Sequence, residues 1–185
     1  GANGCGKSTL FSLMTKNLYP RKGNIFLKGK NIQNLNLKEF ARKVAIVQQY
    51  NSASDDITVE NLVAFGRTPH KKMMQGDSAE DERMIQWALE VTNLTEYRDR
   101  EVSRLSGGQR QRLTIARALV KKPEILILDD SLSALDFATD AALRKALAGL
   151  EGETTTFLVS QRVAGIRQAD KILVLDNGEL AGSGT

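Results

Sequence analysis

The chain has 185 residues, of which 41% are hydrophobic and 26% are charged, a composition typical of one ordinary globular domain with room for a subdomain. Its formal net charge is +4, but the basic residues are scattered, which argues against a nucleic-acid-binding stripe. The single cysteine excludes an internal disulfide and favours a reducing compartment, and the apolar runs fall far short of the roughly 20 residues that cross a bilayer.

The first half of the sequence alternates between helical and strand patterns. After a glycine-rich opening, STLFSLMTKNL predicts a helix with Leu10, Leu13, Met14 and Leu18 on one face. GNIFLKGKNI indicates a short strand and turn, VAIVQQ a strand that ends in polar residues, and ITVENLVAFGR another short helix. Residues from about 50 to 104 are helical in pattern, so we expect them to form a helical subdomain.

The second half alternates more regularly. Ser78 and Asp81 indicate a capped start to a helix through ERMIQWALEVTNL, and LSGGQRQRLTIARALVKKP predicts a loop entering a helix that Pro123 ends. EILILDD is typical of a buried strand, ATDAALRKALAGL of an amphipathic helix, TTTFLVSQ of a second strand, and KILVLDNGELAG of a hairpin with Asn177-Gly178 at its turn. Strands alternating with helices favour a parallel α/β core.

The opening residues fit the phosphate-loop pattern G-x-x-x-x-G-K-[ST] at every fixed position. Glycines let successive backbone N–H groups converge on phosphate oxygens, and the following helix adds its partial positive charge. Lys7 is expected to neutralise the outer phosphates and Ser8 to bind Mg²⁺. We therefore predict a nucleotide-binding segment made of Asn3, Gly4, Cys5, Gly6, Lys7, Ser8 and Thr9.

Such a loop normally follows a buried strand that holds it rigid, and this sequence opens on the loop itself. We therefore expect the sequence to be the interior of a larger domain whose N-terminal sheet is missing.

An acidic residue at a strand end also supports the nucleotide prediction. Ile125–Leu128 form an apolar run that places Asp129 at the end of a strand. In phosphate-loop enzymes a carboxylate at that point holds Mg²⁺.

Leu105–Gln109 read LSGGQ, and the serine and two glycines at a helix start make a second anion-binding tip. A chain with one phosphate loop has no evident use for a second tip, unless the tip covers the nucleotide of another copy or partner. From Gly1 onward the whole chain resembles the ATP-binding domain of ABC transporters, whose signature motif is LSGGQ. The shared features include Gln49 after the VAIVQ strand and the SALD loop at Ser133–Asp136.

The resemblance implies an α/β P-loop NTPase fold, with a mostly parallel core sheet flanked by helices and a helical subdomain. It implies ATP and Mg²⁺ as cofactors, and two ATP-binding domains that sandwich two nucleotides, each site combining one domain's phosphate loop with the other's Ser106, Gly107, Gly108 and Gln109. Gln49, with Gln48 as the alternative, would sense Mg²⁺ and the γ-phosphate. The implied partners are transmembrane subunits or a fused membrane domain, and the implied location is the cytoplasmic face of the plasma membrane.

Two residues depart from the pattern of active family members. Asp130 stands where the family has the glutamate that polarises the attacking water, and Gln161 stands where it has the switch histidine. The shorter acid withdraws its carboxylate by roughly 1.5 Å, and misplacement of about 1 Å already lowers rates heavily. Glutamine can hydrogen-bond a phosphate but carries no positive charge. Together these substitutions predict slow hydrolysis at this chain's own site.

The two halves of the sequence resemble different transporters. ITVENLVAFGRTPHKK is similar to the ATPases of iron–siderophore, haem and cobalamin importers, whereas DDSLSALD and the residues after it look more like the degenerate half of heterodimeric exporters. We expect import, because the stretch after Gln49 faces the membrane subunit in this family. The alternatives are an exporter domain, a mosaic sequence, a non-transport ABC ATPase and a nucleotide-sensing regulator.

Overall fold

The computed structural model describes residues 5–47, 56–71, 76–129, 145, 154–159 and 169–185. Its helices and strands, in chain order, are α1 (Lys7–Met14), β1 (Phe26–Leu27), β2 (Lys30–Asn31), α2 (Leu37–Lys43), β3 (Val44–Val47), α3 (Val59–Ala64), α4 (Ala79–Val91), α5 (Gly107–Leu119), β4 (Ile125–Asp129), β5 (Thr155–Val159), β6 (Ile172–Asp176) and β7 (Glu179–Gly184).

The core of the described chain is a parallel sheet in the order β3-β4-β5. Ala45 pairs with Leu126 on one side of β4, and Leu126 pairs with Thr156 on the other. Parallel strands of this kind are buried on both faces and read as continuous apolar runs, which is the pattern of ILIL in β4. The predicted parallel α/β core is confirmed.

Alternate residues of β4 pack against different helices. Leu126 and Leu128 lie in one buried cluster with Ile115 and Leu119 of α5, whereas Ile127 lies in another cluster with Phe11 of α1. Successive side chains of a strand point to opposite faces of the sheet. Helices α1 and α5 therefore cover opposite faces of the same strand.

Helices α3, α4 and α5 enclose a separate apolar cluster. Its fully buried members include Val59 and Val63 of α3, Leu89 of α4 and Leu113 of α5. Gly66 follows α3 in a short 3-10 helix that runs tightly against α5, since a Cβ at Gly66 would lie 2.5 Å from the Arg117 carbonyl oxygen. Only glycine fits this crossing.

A buried ion pair joins the segment after α3 to the start of α4. The Nε of Arg67 lies 2.5 Å from Oδ1 of Asp81, and the Arg67 Nη1 donates to the Val120 carbonyl oxygen at 3.1 Å. Burial acts to raise the pKa of Asp81, but hydrogen bonds from Ser78 and Arg67 outweigh it and lower the pKa to about 2. Ser78 and Asp81 also form the capping box that the sequence predicts.

The predicted face of α1 is wrong in part. The helix ends at Met14, so Leu18 lies beyond it and is 47% exposed, and Leu10 is 38% exposed. Phe11 is instead the buried residue of α1, because it faces the Ile127 side of the sheet. Helix α2, which follows the N-cap Asn36, is not among the predicted elements. The helix predicted over 138–150 lies outside the described residues, apart from Lys145.

Within the described ranges, no helix is both long and apolar enough to span a bilayer.

Replacing Asp81 tests the buried pair. Asp81→Ala leaves Arg67 buried without its carboxylate, and we expect the free energy of unfolding to fall by about 3 kcal/mol near neutral pH. Glu80→Ala is the control: Glu80 also lies near Arg67, at 3.8 Å, but is 64% exposed, so its loss should cost under about 0.5 kcal/mol. Urea denaturation of the parent chain and of both variants measures these changes in the free energy of unfolding.

The same pair predicts a pH dependence. The Asp81 pKa is lowered from 3.8 to about 2, so the stability it contributes is complete above its unfolded pKa and is lost as the pH falls toward 2. The difference between the parent chain and Asp81→Ala should therefore shrink over that interval. A difference that stayed constant from neutral pH down to 2 would contradict this assignment.

Candidate functional site

The phosphate loop enters α1 through a glycine in the left-handed region. Gly6 has φ +96° and is the N-cap of α1, and no side chain caps the helix there. An L residue with a side chain rarely adopts this conformation. Gly6 thus contributes no side-chain cap to α1, and no acidic residue lies in the first turn of the helix. This helix start can accept an anion.

Lys7 lies within hydrogen-bond distance of Cys5. The Lys7 Nζ is 3.1 Å from the Cys5 Sγ, and this hydrogen bond lowers the pKa of the Cys5 thiol, against the opposing effect of burial. Cys5 itself is buried. Ser8 and Thr9 follow in the first turn and are exposed. The loop therefore combines a cation, two exposed hydroxyl side chains and a helix N-terminus.

The β6–β7 hairpin contacts this loop, a contact that the sequence analysis missed. The Gly178 N–H donates to the Cys5 carbonyl oxygen at 3.1 Å, and a Cβ at Gly6 would lie 3.3 Å from the Gly178 Cα. Asn177-Gly178 gave a correct signal for the turn, with φ +46° and +83°. No local pattern indicates where that turn packs.

The second predicted tip has the geometry of a helix cap. Ser106 is the N-cap of α5, its Oγ accepts from the Gln109 N–H at 3.3 Å, and its own N–H donates to the Gln109 Oε1 at 2.8 Å. Ser106, Gly107 and Gly108 are exposed, and a Cβ at either glycine would meet nothing within 4 Å. The tip is therefore open to a partner.

The two predicted anion-binding tips, at the starts of α1 and α5, lie apart. Helix α1 covers the Ile127 face of the sheet, and α5 covers the Leu126 and Leu128 face. Ile115 is the first residue of α5 in the cluster that packs against the sheet, and Ser106 lies nine residues before it. Nine residues correspond to roughly 13 Å along a helix. The chain thus presents its two tips separately, as expected if each serves a different nucleotide.

Of the remaining predicted residues, only Asp129 lies within the described chain. It is the last residue of β4 and pairs with Val159 of β5. Asp129 thus lies two residues beyond Ile127, on the strand that α1 packs against. Asn3, Gly4, Gln48, Gln49, Asp130, the Ser133–Asp136 loop and Gln161 lie outside the described residues.

Comparison with known proteins identifies the family of the chain. The ABC transporter family model matches residues 1–133. The Iron(3+)-hydroxamate import ATP-binding protein FhuC of Bacillus subtilis is 36% identical over all of this chain and 70% of that protein. The ATP-dependent lipid A-core flippase of Psychrobacter cryohalolentis is 37% identical over all of this chain and 31% of that protein.

A solved structure of an ATP-binding cassette has a similar fold. The ATP-binding cassette MJ0796, in a dimeric post-hydrolysis state bound to ADP and Pi, superimposes with a TM-score of 0.83 at 26% identity, covering all of this chain and 82% of that chain. The chain therefore belongs to the ATP-binding domains of the ABC transporter family. It is an ATPase domain with the α/β fold of P-loop NTPases.

Two serine caps allow a matched test of the second tip. Ser78 and Ser106 both close capping boxes, so Ser78→Ala and Ser106→Ala should each lower the free energy of unfolding by about 1 kcal/mol. Only Ser106→Ala alters the exposed anion tip, and we expect it alone to lower steady-state ATP hydrolysis, by about tenfold or more. Equal rates for the two variants would argue against a nucleotide role for Ser106.

Proposed function

We propose that this chain is the ATP-binding and ATP-hydrolysing subunit of an ABC importer for an iron–siderophore or related metal chelate. The observation that supports ATP binding between two domains is the separation of the α1 and α5 tips, whose helices cover opposite faces of β4. A second ATP-binding domain, identical or different, then supplies the tip that each bound ATP lacks. The dimeric state of MJ0796 supports this arrangement.

The phosphate-loop residues fit a nucleotide. Gly6, Lys7 and Ser8 offer backbone N–H groups, an ammonium group and a hydroxyl at one helix start, which suits the phosphates and Mg²⁺ of Mg·ATP. Asn3, Gly4, Cys5 and Thr9 complete the loop on this proposal. Bound Mg²⁺ would neutralise charge on the outer phosphates, with Asp129 and Gln49 as its further protein partners.

Slow hydrolysis at the chain's own site is part of the proposal. Asp130 replaces the glutamate of active family members, and Gln161 replaces their histidine. The signature residues Ser106–Gln109 are intact, so they can serve a faster site whose phosphate loop belongs to a partner with both active residues. This makes a heterodimer with one slow and one competent site the favoured pair.

A groove between α3 and α4 supports a membrane partner. It has a volume of about 620 Å³, and its lining includes Glu60, Glu82 and Glu90 together with Trp87 and Arg83. Asp77 and Arg98 also line it, but Asp77 is paired with Lys71 and Arg98 with Glu60, so Glu82 and Glu90 against Arg83 leave a surplus of one carboxylate. Cytoplasmic loops of membrane proteins carry an excess of lysine and arginine. A basic loop of a transmembrane subunit therefore matches this groove and would hold the chain at the cytoplasmic face of the membrane.

The importer assignment rests on similarity along the whole chain, including the segment from about 50 to 104, which we propose to be a helical subdomain. FhuC is an import protein by name, and this chain covers 70% of it. The second candidate is the ATP-binding domain of an exporter. The lipid A-core flippase has nearly the same identity to this chain, 37%, and the residues after Asp130 resemble degenerate exporter domains.

Restoring the two altered residues tests the slow site. Asp130→Glu with Gln161→His extends the acid and returns a protonatable group, and we expect ATP turnover at this chain's phosphate loop to rise by about tenfold or more. Single-turnover hydrolysis by the purified pair measures it. Asp99→Glu, at an exposed residue away from the motifs, is the matched control and should change nothing.

Adding Lys7→Ala to the restored variant should remove the gained activity, which assigns it to this chain's own loop. An unchanged turnover in the double variant would show that Asp130 and Gln161 do not limit hydrolysis.

Transport direction is tested in the native host. Inactivating the gene should abolish ATP-dependent uptake of a radiolabelled ferric siderophore, and the parent gene, but not its Lys7→Ala variant, should restore uptake, because Lys7 binds the phosphates on this proposal. Normal siderophore uptake together with loss of lipid or drug efflux would support the exporter candidate instead.

A further inference from the structure

We propose that the β6–β7 turn, Asn177-Gly178, is a positioning element for the phosphate loop. The inference rests on the proposed function, since it concerns how the loop is held to bind ATP. The turn touches the loop through backbone atoms: the Gly178 N–H donates to the Cys5 carbonyl oxygen at 3.1 Å. The Gly6 backbone packs against Gly178, with 3.3 Å between a Cβ built at Gly6 and the Gly178 Cα.

This hydrogen bond fixes the direction of a peptide group in the loop. The peptide bond between Cys5 and Gly6 is planar and trans, so its carbonyl and its N–H point in opposite directions. Because the Cys5 carbonyl points toward the hairpin, the Gly6 N–H points away from it. The next carbonyl, that of Gly6, accepts from the Leu10 N–H at 2.9 Å, so the Lys7 N–H points out of the helix start, where the Cys5 thiol accepts from it. Both N–H groups are thus oriented by hydrogen bonds to the opposite ends of their peptides.

The hairpin is built to hold the turn in one register. Asp176 pairs with Glu179, which leaves Asn177 and Gly178 as a two-residue loop with both φ angles positive. Two-residue turns of this type match the twist of the strands they join. A register shift between Val174 and Leu175 adds a bulge to the hairpin, and bulges pin strand register. The N–H that meets Cys5 is therefore set by the hairpin geometry.

The chain contains a matched turn that does not touch the loop. Lys28 and Gly29 join β1 to β2 with φ +49° and +76°, close to the values at Asn177 and Gly178. A Cβ added at Gly29 or at Gly178 would meet nothing within 4 Å. The same substitution at either glycine therefore imposes the same backbone strain and no clash. Only the turn at Gly178 transmits that strain to the phosphate loop.

The test compares Gly178→Val with Gly29→Val in the intact protein. A β-branched residue at positive φ distorts each turn, so both variants should lose similar thermal stability. We expect Gly178→Val to raise the Kd for Mg·ATP about tenfold and Gly29→Val to leave it within about twofold, by equilibrium dialysis. Gly178→Asn should restore binding, because asparagine tolerates the left-handed region. Where valine prevents folding, the alanine variants at the same two positions make the same comparison.

The outcomes separate this inference from the proposed function. If the parent protein binds Mg·ATP and Gly178→Val binds it equally well, the positioning role is wrong and the proposed function stands. If both valine variants weaken binding equally, the effect is general destabilisation and the positioning role is again wrong. A parent protein that does not bind Mg·ATP would overturn both.

Discussion

The burial of β4 on both faces is the constraint on which the rest of the described fold depends. Leu126 and Leu128 pack against α5, and Ile127 packs against α1 and α2. A shift of β4 by one residue in register would therefore turn each of these side chains toward the wrong helical layer. The alternation fixes which face of the sheet the phosphate-loop helix and the signature helix each cover. One strand therefore sets both the magnesium-site candidate at its end and the separation of the two anion-binding tips.

The phosphate loop depends mainly on backbone geometry, and that geometry is supplied from a distance. Gly6 reaches its left-handed conformation at little cost because it has no side chain, but the same freedom gives it no preference for that conformation. The Gly178 N–H provides a preference by holding the Cys5 carbonyl. A loop rich in glycine thus gains order from a hairpin that lies far from it in the sequence.

Features that depend on neighbouring residues could be predicted from the sequence, and features that depend on packing could not. The Ser78–Asp81 capping box, the Ser106 cap and the Asn177-Gly178 turn are each specified within four residues. The choice of Phe11 over Leu10 as the buried residue of α1, the pairing of Arg67 with Asp81, and the contact between Gly178 and Cys5 arise between segments far apart in sequence. Periodicity carries no information about such partners.

Because the two halves of each proposed nucleotide site come from different chains, a change in one chain affects the two sites unequally. On the proposed arrangement, Asp130 and Gln161 would act with this chain's phosphate loop, whereas Ser106–Gln109 would act with the partner's loop. In a pair of identical chains both sites would carry the shortened acid, and hydrolysis would be slow throughout. In a pair with an active partner one site keeps the full catalytic set and the complete signature. On this proposal, an intact Ser106 cap beside the altered residues 130 and 161 serves a competent site only in a mixed pair, which is why the mixed pair is the favoured assembly.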